Sequence, residues 1–216
     1  MDKKRIIIIG GGFGGVKCAK ALLRDLSPGK CEVTLFNREN HLVFSPLLAD
    51  AVGSSVNPLD VIVPLRQLLP DVYCRTQDVR NIFPDKNEIE YEGAEGGVCR
   101  MRYDHLVLAC GNVANLNVVP GMADHSFALK NLADAAALRT HIMEQMEKAE
   151  VTEDPEKRAW HLSFIVVGGG YSGVEAAGEI NDLVRSSACY FRNFQAKDAQ
   201  VVLIHSRDQL LPEIGP

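Results

Sequence analysis

A glycine pattern of the form G-x-G-x-x-G occurs twice in this chain, each time between an apolar run and a stretch with helical periodicity. The first copy follows the isoleucines at 6–9, and the second follows the apolar residues at 164–167. The order of strand, glycine loop and helix favours a Rossmann-like unit. The pattern glycines are Gly10, Gly12 and Gly15 in the first copy and Gly168, Gly170 and Gly173 in the second.

Each glycine of the pattern has its own physical role. The first makes a tight turn, the second lets the backbone approach a pyrophosphate, and the third lets the helix pack close to the strand. The pyrophosphate then lies at the helix N-terminus, where unpaired N–H groups and the helix dipole favour negative charge. Two copies predict two dinucleotide sites, and the chemistry that uses two dinucleotides is hydride transfer from a nicotinamide to a flavin.

The composition excludes several other classes of protein. The 216 residues are 46% hydrophobic and 24% charged, with a net charge of −5 and no cluster of Lys and Arg interleaved with aromatic residues. We therefore expect no nucleic acid partner. No apolar run reaches about 18 residues, so no transmembrane segment is expected. The isoleucine run is too short for a signal peptide and ends at glycines, which favours a buried strand.

Six cysteines are scattered along the chain, with no CxxC and no Cys/His pairing typical of a metal site. Scattered cysteines usually act as small apolar core residues. They predict a protein without a metal ion in a reducing compartment, and therefore a cytoplasmic location.

Hydrophobic periodicity predicts an α/β unit at the start of the chain, with strands at 5–9 and 31–36 and a helix at 14–26. The proline-punctuated segment 45–70 is predicted to be a loop and a helix. The remaining predicted elements are an antiparallel hairpin of strands 88–92 and 98–102, a buried strand at 103–111, a helix at 132–149 capped by Asn131 and Asp134, a linker at 150–156, a second strand, glycine loop and helix from 162, and a strand at 201–204.

The order of these motifs is more specific than any one of them. Asn-His-Leu-Val-Phe-Ser-Pro-Leu-Leu at 40–48 follows the second strand, Tyr-Asp-His-Leu-Val-Leu-Ala-Cys-Gly lies at 103–111, and Gly-Val-Glu-Ala-Ala-Gly-Glu at 173–179 opens the second nucleotide helix. Over essentially the whole chain this order resembles the two-dinucleotide-binding flavoproteins and, among them, the type II NADH:quinone oxidoreductases.

The resemblance implies an α/β fold with a Rossmann-like FAD-binding domain that carries a small antiparallel β excursion, followed by an incomplete second Rossmann-like NAD(P)-binding domain. It implies domain limits of 1–115 for the FAD-binding part, 116–158 for a connecting helix and linker, and 159–216 for the NAD(P)H-binding part. Family members continue past the position of Pro216, so the chain is expected to be an N-terminal fragment. A second sheet this short is expected to expose apolar surface and favour a homodimer.

In the first site the resemblance implies FAD. Asn37 occupies the position of the adenosine ribose contact, where many relatives have a carboxylate, and its amide can bond the ribose hydroxyls through one oxygen and one NH₂. The alternative interpretation of Asn37 is a strand-end turn residue. The residues implied at this site are Gly10, Gly12, Phe13, Gly14, Gly15, Asn37, Arg38, Val79, Ala109, Cys110 and Gly111.

In the second site the resemblance implies NAD(P)H, with NADH favoured. His205 and Arg207 stand where NADH-specific relatives usually have an acid; an Arg there can accommodate the 2′-phosphate of NADPH, and both residues can equally be ordinary strand-end residues. Glu175 is either a carboxylate stabilised by the helix N-terminus or a catalytic residue that orients the nicotinamide or relays a proton. The implied cofactor-binding residues are Gly168, Gly170, Tyr171, Ser172, Gly173, His205 and Arg207.

The cysteine positions also bear on the reaction. Disulfide reductases of this superfamily have a cysteine pair after the second strand, and this chain has no cysteine between Cys31 and Cys74. The resemblance therefore implies an FAD-dependent oxidoreductase that passes a hydride from NAD(P)H to the flavin and electrons to a quinone-type acceptor, peripheral on the cytoplasmic face of the membrane in a longer form. The alternatives are a ferredoxin-reductase-like enzyme, a non-catalytic nucleotide-binding redox sensor, and an inactive fragment.

Overall fold

The computed structural model describes residues 3–27 and 29–211. The chain forms two compact units, one of Met1–Val43 with Ile62–Val113 and one of Phe44–Val61 with Ala114–Pro216. Along the chain the helices and strands are β1 (Lys4–Ile9), α1 (Phe13–Asp25), β2 (Cys31–Phe36), β3 (His41–Val43), α2 (Leu48–Gly53), β4 (Ile62–Pro64), α3 (Leu65–Leu68), β5 (Tyr73–Arg75), β6 (Val79–Phe83), β7 (Glu88–Glu92), β8 (Val98–Arg102), β9 (His105–Leu108), α4 (Met122–His125), α5 (Leu132–Val151), α6 (Pro155–His161), β10 (Ser163–Val167), α7 (Tyr171–Ser187) and β11 (Gln200–Ile204).

The first unit is built on a parallel sheet of order β5-β2-β1-β9. Side chains of β1 alternate between its two faces. Ile6 and Ile8 pack with residues of α1 and α3, whereas Ile7 packs with Phe36 and with Ile89 of the antiparallel sheet β6-β7-β8. Burial on both faces explains why this strand is a continuous apolar run.

Residues 44–61 leave the first unit and belong to the second. The antiparallel strands β3 and β4 flank this excursion. Its helix α2 buries Leu48, Ala49, Ala51 and Val52 against α5 and α7. The Arg139 guanidinium donates to the carbonyl oxygen of Val52 at 2.9 Å, which satisfies one of the carbonyls left open at the end of α2.

The second unit contains a two-stranded parallel sheet of β10 and β11, with α7 packed against it. Phe164 is buried, but the alternate residues of both strands remain exposed, with accessible fractions of 64% for Ile165, 52% for Val167, 45% for Val202 and 50% for Ile204. The apolar surface expected from the sequence is therefore present on this sheet.

The α/β fold is confirmed. The strands predicted at 31–36, 88–92 and 98–102 have the observed bounds, and α1 starts one residue before the predicted helix. The predicted cap of α5 also forms, because the Asp134 N–H donates to Asn131 Oδ1 at 2.9 Å. The strand predicted at 103–111 is shorter, at His105–Leu108, and the prediction that it is buried is wrong, because its residues are partly or fully exposed.

Three other predictions need correction. The predicted linker at 150–156 is largely helical, because α5 continues to Val151 and α6 starts at Pro155, where the Asp154 carboxylate caps the first turn. The segment 45–70 also contains the strand β4. Cys110 and Cys189 are exposed and not core residues. Residues 212–216 of the predicted NAD(P)H-binding part lie outside the described residues.

None of the helices within 3–27 and 29–211 is both long enough and apolar enough to cross a bilayer.

Candidate functional site

The turn after β1 requires glycine at Gly10 and Gly15, where a side chain would collide with the backbone. Gly10 has φ +110°, and its N–H donates to the carbonyl oxygen of Phe36 at 2.8 Å. A Cβ on Gly10 would collide with the carbonyl oxygen of Ala109, and a Cβ on Gly15 would collide with the carbonyl oxygen of Gly10. These two glycines let the loop and α1 approach the sheet closely.

Gly12 is different, because no contact within the described residues requires it to be glycine. Apart from its neighbours in the chain, no atom of residues 3–27 and 29–211 lies within 4 Å of the position that its Cβ would take, and its backbone is extended at φ −76°. Gly12 is the N-cap of α1, whose first turn contains no acidic residue. The helix N-terminus can therefore accept an anion at close range, and the missing Cβ leaves room for it.

Asn37, directly after β2, is bonded to the glycine loop. Its Oδ1 accepts the N–H of Gly11 at 2.8 Å, and its Nδ2 donates to the carbonyl oxygen of Glu39 at 2.9 Å. These bonds support its interpretation as a strand-end turn residue. The oxygen keeps a second lone pair and the NH₂ a second proton, so the ribose contact stays a prediction.

The segment after β9 reaches the same edge of the sheet. The Ala109 N–H donates to the carbonyl oxygen of Ile9 at 2.8 Å, and the exposed Cys110 thiol donates weakly to the same oxygen at 3.7 Å. Gly111 has φ +67°. Residues 109–111, the glycine loop and Asn37 thus meet at the carboxyl ends of three adjacent parallel strands, where ligands bind in open α/β sheets.

Arg38 directly follows Asn37 in the sequence, and Val79 lies against the core cluster of Phe36. The Arg38 side chain is 80% exposed and lies 3.5 Å from the Asp78 carboxylate. Val79, the first residue of β6, packs against the core cluster that contains Ile7 and Phe36. Both positions remain predicted contacts.

The turn after β10 repeats the geometry of the first. Gly168 has φ +119°, and its N–H donates to the carbonyl oxygen of Ile204 at 2.9 Å. A Cβ on Gly173 would collide with the carbonyl oxygen of Gly168. Gly170 is the N-cap of α7, and the first turn of this helix, which starts at Tyr171 and Ser172, contains no acidic residue.

His205 directly follows β11, as Asn37 directly follows β2. Its Nδ1 accepts the N–H of Gly169 at 3.0 Å. Its Nε2 is buried and has no hydrogen-bond partner among the residues that the structure describes. The segment after His205 folds back, and the Leu211 N–H donates to the carbonyl oxygen of Gly169 at 2.8 Å. Arg207 is exposed.

The two turns are therefore held by the same pair of bonds. In each, the first glycine donates to the last residue of the neighbouring strand, and the second donates to the side chain that follows. Sequence reasoning missed the role of Gly11 and Gly169. The signal was present, because both loops begin with three consecutive glycines.

Two glutamates of α7 have different surroundings. Glu175 is exposed, and its carboxylate has no hydrogen-bond or ion-pair partner in the described part of the chain. Glu179 accepts a hydrogen bond from the Ser55 hydroxyl at 2.6 Å, next to the last residue of α2, Gly53. Glu179 thus joins residues 44–61 to α7, whereas the carboxylate of Glu175 is available to a ligand.

Both turns fit the pyrophosphate of a dinucleotide. Each has its glycine loop at the carboxyl end of a parallel strand and a helix N-terminus without acidic residues, which is the arrangement that binds phosphate in Rossmann-like folds.

Comparison with known proteins agrees with this geometry. The family model of the pyridine nucleotide-disulphide oxidoreductases matches residues 4–216. A type II NADH:quinone oxidoreductase of Mycobacterium tuberculosis is 30% identical over 99% of this chain and 46% of its own length. A mitochondrial external alternative NAD(P)H-ubiquinone oxidoreductase of Arabidopsis thaliana is 27% identical over 97% of this chain and 37% of its own length.

Among solved structures, NDH2 from Plasmodium falciparum in complex with NADH superposes with a TM-score of 0.87 at 24% identity, over 98% of this chain and 44% of that one. The chain spans about half the length of the M. tuberculosis relative and less of the other two. The resemblance to type II NADH:quinone oxidoreductases that the motifs indicated is confirmed, and the chain belongs to the pyridine nucleotide-disulphide oxidoreductase family.

Proposed function

We propose that the first glycine turn binds FAD, that the second binds NAD(P)H, and that the protein passes a hydride from NAD(P)H to the flavin and electrons onward to a quinone-type acceptor. The observation that carries this proposal is the repetition of one turn geometry, with the same two bonds and the same uncharged helix start, in both units. One pyridine nucleotide and one flavin are the two dinucleotides that hydride transfer requires.

The residues of the chain would bind and orient the two cofactors. In the first unit the open space at Gly12 would admit the pyrophosphate. The lone pair and the proton that the Asn37 amide does not use within the chain would bond the ribose. When bound, the flavin would supply the hydride acceptor. The proposed FAD contacts are Gly10, Gly12, Phe13, Gly14, Gly15, Asn37, Arg38, Val79, Ala109, Cys110 and Gly111.

In the second unit the proposed NAD(P)H contacts are Gly168, Gly170, Tyr171, Ser172, Gly173, His205 and Arg207, with NADH favoured. We assign Glu175 the role of orienting the nicotinamide or relaying a proton to the acceptor. Its exposure and its unpartnered carboxylate support this role. Hydride transfer needs positioning of the two rings and no protein acid.

We propose domain limits of 1–115 for the FAD-binding part, 116–158 for a connecting helix and linker, and 159–216 for the NAD(P)H-binding part; residues 44–61 belong to the second compact unit. The quinone-type acceptor follows the names of the relatives, and a location at the cytoplasmic face of a membrane is part of the same proposal.

The absorbance spectrum of the purified chain tests the proposal. After incubation with FAD and removal of the excess, the protein should be yellow, should bleach when NADH is added without oxygen, and should recover its colour with a soluble quinone. A protein that stays colourless contradicts the flavin site. Recovery with a ferredoxin-type protein but not with quinone would instead favour the ferredoxin-reductase-like alternative.

We also propose that a second copy of the chain covers the exposed face of β10 and β11, because parallel sheets are normally covered on both faces. The side chains concerned are Ile165, Val167, Val202 and Ile204. Light scattering should report a dimer that Val202→Lys converts to a monomer. A monomeric parent whose second unit resists proteolysis would contradict a dimer.

A further inference from the structure

The two glycine turns are held by acceptors of different chemistry. In the first turn Gly11 donates to the amide oxygen of Asn37, a group that does not titrate. In the second turn Gly169 donates to Nδ1 of His205. An imidazole nitrogen accepts a hydrogen bond only while it is unprotonated, so the second turn requires a neutral ring with its proton on Nε2.

The ring of His205 lies close to the glycine loop. A Cβ on Gly169 would lie 2.6 Å from Cγ of the imidazole and 2.7 Å from Cδ2 of Leu210, so the ring packs tightly against the loop. The Leu211 N–H holds the carbonyl oxygen of Gly169 at 2.8 Å. Turning the ring by 180° about its Cβ–Cγ bond would put the carbon Cδ2 where Nδ1 now lies, so the bond from Gly169 depends on Nδ1.

A second proton on the ring would oppose the turn in two ways. It would set an Nδ1–H donor against the N–H of Gly169, and it would place a positive charge near the N-terminus of α7, where the helix dipole is already positive. The titratable side chains of the adjoining elements that lie nearest to the turn in sequence are Tyr171 in the first turn of α7 and the exposed Arg207 and Asp208. Further along α7 are Glu175, Glu179, Asp182 and Arg185. The first turn of α7 contributes no acidic residue to stabilise the cation.

We propose that His205 is a positioning residue, which holds Gly169 as a neutral acceptor and makes the second glycine turn, and the nicotinamide dinucleotide that it binds, sensitive to mild acid, whereas the turn held by Asn37 is not. The identity of the ligand rests on the proposed function; the protonation of the turn does not. Because the competent ring is neutral, affinity is full at high pH and falls as the ring takes up its proton.

Calorimetric titration with NAD⁺ between about pH 8 and pH 5.5, the range in which histidines change charge, tests whether dinucleotide binding depends on this proton. We expect the affinity of the parent to fall by about tenfold per pH unit once the ring is protonated, since one proton is linked to binding. His205→Asn keeps an acceptor like that of the first turn, and its affinity should not change over this range. A parent with constant affinity, or a variant with the same fall, would overturn the proposal.

Nitrogen NMR of the His205 ring and of the Gly169 amide tests the same inference without a ligand. We expect an unprotonated Nδ1 at about pH 8, and a Gly169 amide signal that follows the titration of the ring and becomes constant in His205→Asn. A proton on Nδ1 at high pH, or a Gly169 signal independent of the ring, would refute the positioning role. If NAD⁺ binds at no pH, the proposed function fails and this measurement still decides the inference.

Discussion

The N–H of Gly11 donates to the side-chain oxygen of Asn37 at 2.8 Å, which fastens the loop after β1 to the end of β2. We expect Asn37→Ala to lower the free energy of unfolding by about 0.5–1.5 kcal/mol, the usual net value of one hydrogen bond. Asn37→Asp keeps an oxygen acceptor and should stay closer to the parent. Urea unfolding followed by circular dichroism measures both. Equal losses in the two variants would show that the bond to Gly11 does not hold the loop.

Two glycines of the first glycine turn allow a matched test that separates FAD binding from stability. Gly12→Ala places its Cβ in open space and should change stability by less than about 0.5 kcal/mol, but it should weaken FAD binding at least tenfold. Gly15→Ala places its Cβ against the carbonyl oxygen of Gly10 and should unfold or severely destabilise the first unit. Thermal melts with and without FAD separate the two. Undiminished FAD affinity in Gly12→Ala would place the pyrophosphate elsewhere.

The sequence predicted the elements whose signals are local. Strand β2, the β7–β8 hairpin and the Asn131 cap each depend on residues within a few positions of one another, and each was found where predicted. The prediction of a linker at 150–156 was wrong, because Asp154 and Pro155 also make a good helix start, and α6 begins there.

The contacts between elements could not be predicted from local sequence patterns. The burial of α2 against α7 depends on residues far apart in sequence, such as Ser55 and Glu179, and no local pattern marks such a pair. The tight turns at Gly10 and Gly168 were predicted correctly, but the acceptors of Gly11 and Gly169 appear only when two strands lie side by side.

Gly53 and Glu179 form a contact that a double-mutant cycle can measure. A Cβ on Gly53 would collide with the Glu179 carboxylate, so Gly53→Ala should destabilise the protein by about 1 kcal/mol, as overpacking usually does. In a Glu179→Ala background the carboxylate is gone and only the Cβ of residue 179 remains close, at 3.0 Å, so the same change should destabilise clearly less, helped by the preference of Ala over Gly in a helix. Chemical unfolding of the four proteins gives the coupling. An equal loss in both backgrounds would exclude the collision with the carboxylate.

Asp104 gives a pH-dependent contribution to the stability of the first unit. The Lys4 ammonium, at 2.8 Å, and then the Arg5 N–H hold the pKa of this carboxyl below its ordinary value. A lowered folded pKa stabilises above the unfolded pKa, and that stability is lost as the pH falls through the folded pKa. Asp104→Asn should therefore be less stable than the parent at about pH 7, and the difference should shrink below about pH 4. A difference of the same size at both pH values would contradict this role.

The cysteines should differ in reactivity. Burial raises the pKa of the Cys74 thiol, against a smaller opposing effect of the Arg66 charge, whereas Cys110 and Cys189 are exposed. Since the thiolate is the reactive form, iodoacetamide at about pH 8 should label Cys110 and Cys189 several times faster than Cys74. Peptide mass spectrometry against time measures the order. Labelling of Cys74 first would mean that β5 opens readily.

The excursion at 44–61 has a consequence for the synthesis of the protein. Helix α2 leaves the ribosome before the residues that it packs against. Arg139, which bonds to Val52, and Glu179, which bonds to Ser55, are both translated much later. At about 5–20 residues per second, several seconds pass in which the apolar side of α2 has nothing to pack against. The second unit thus cannot complete its fold until residues on both sides of the first unit's strands β4 to β9 have been translated, and during this interval the apolar side of α2 is open to non-native contacts.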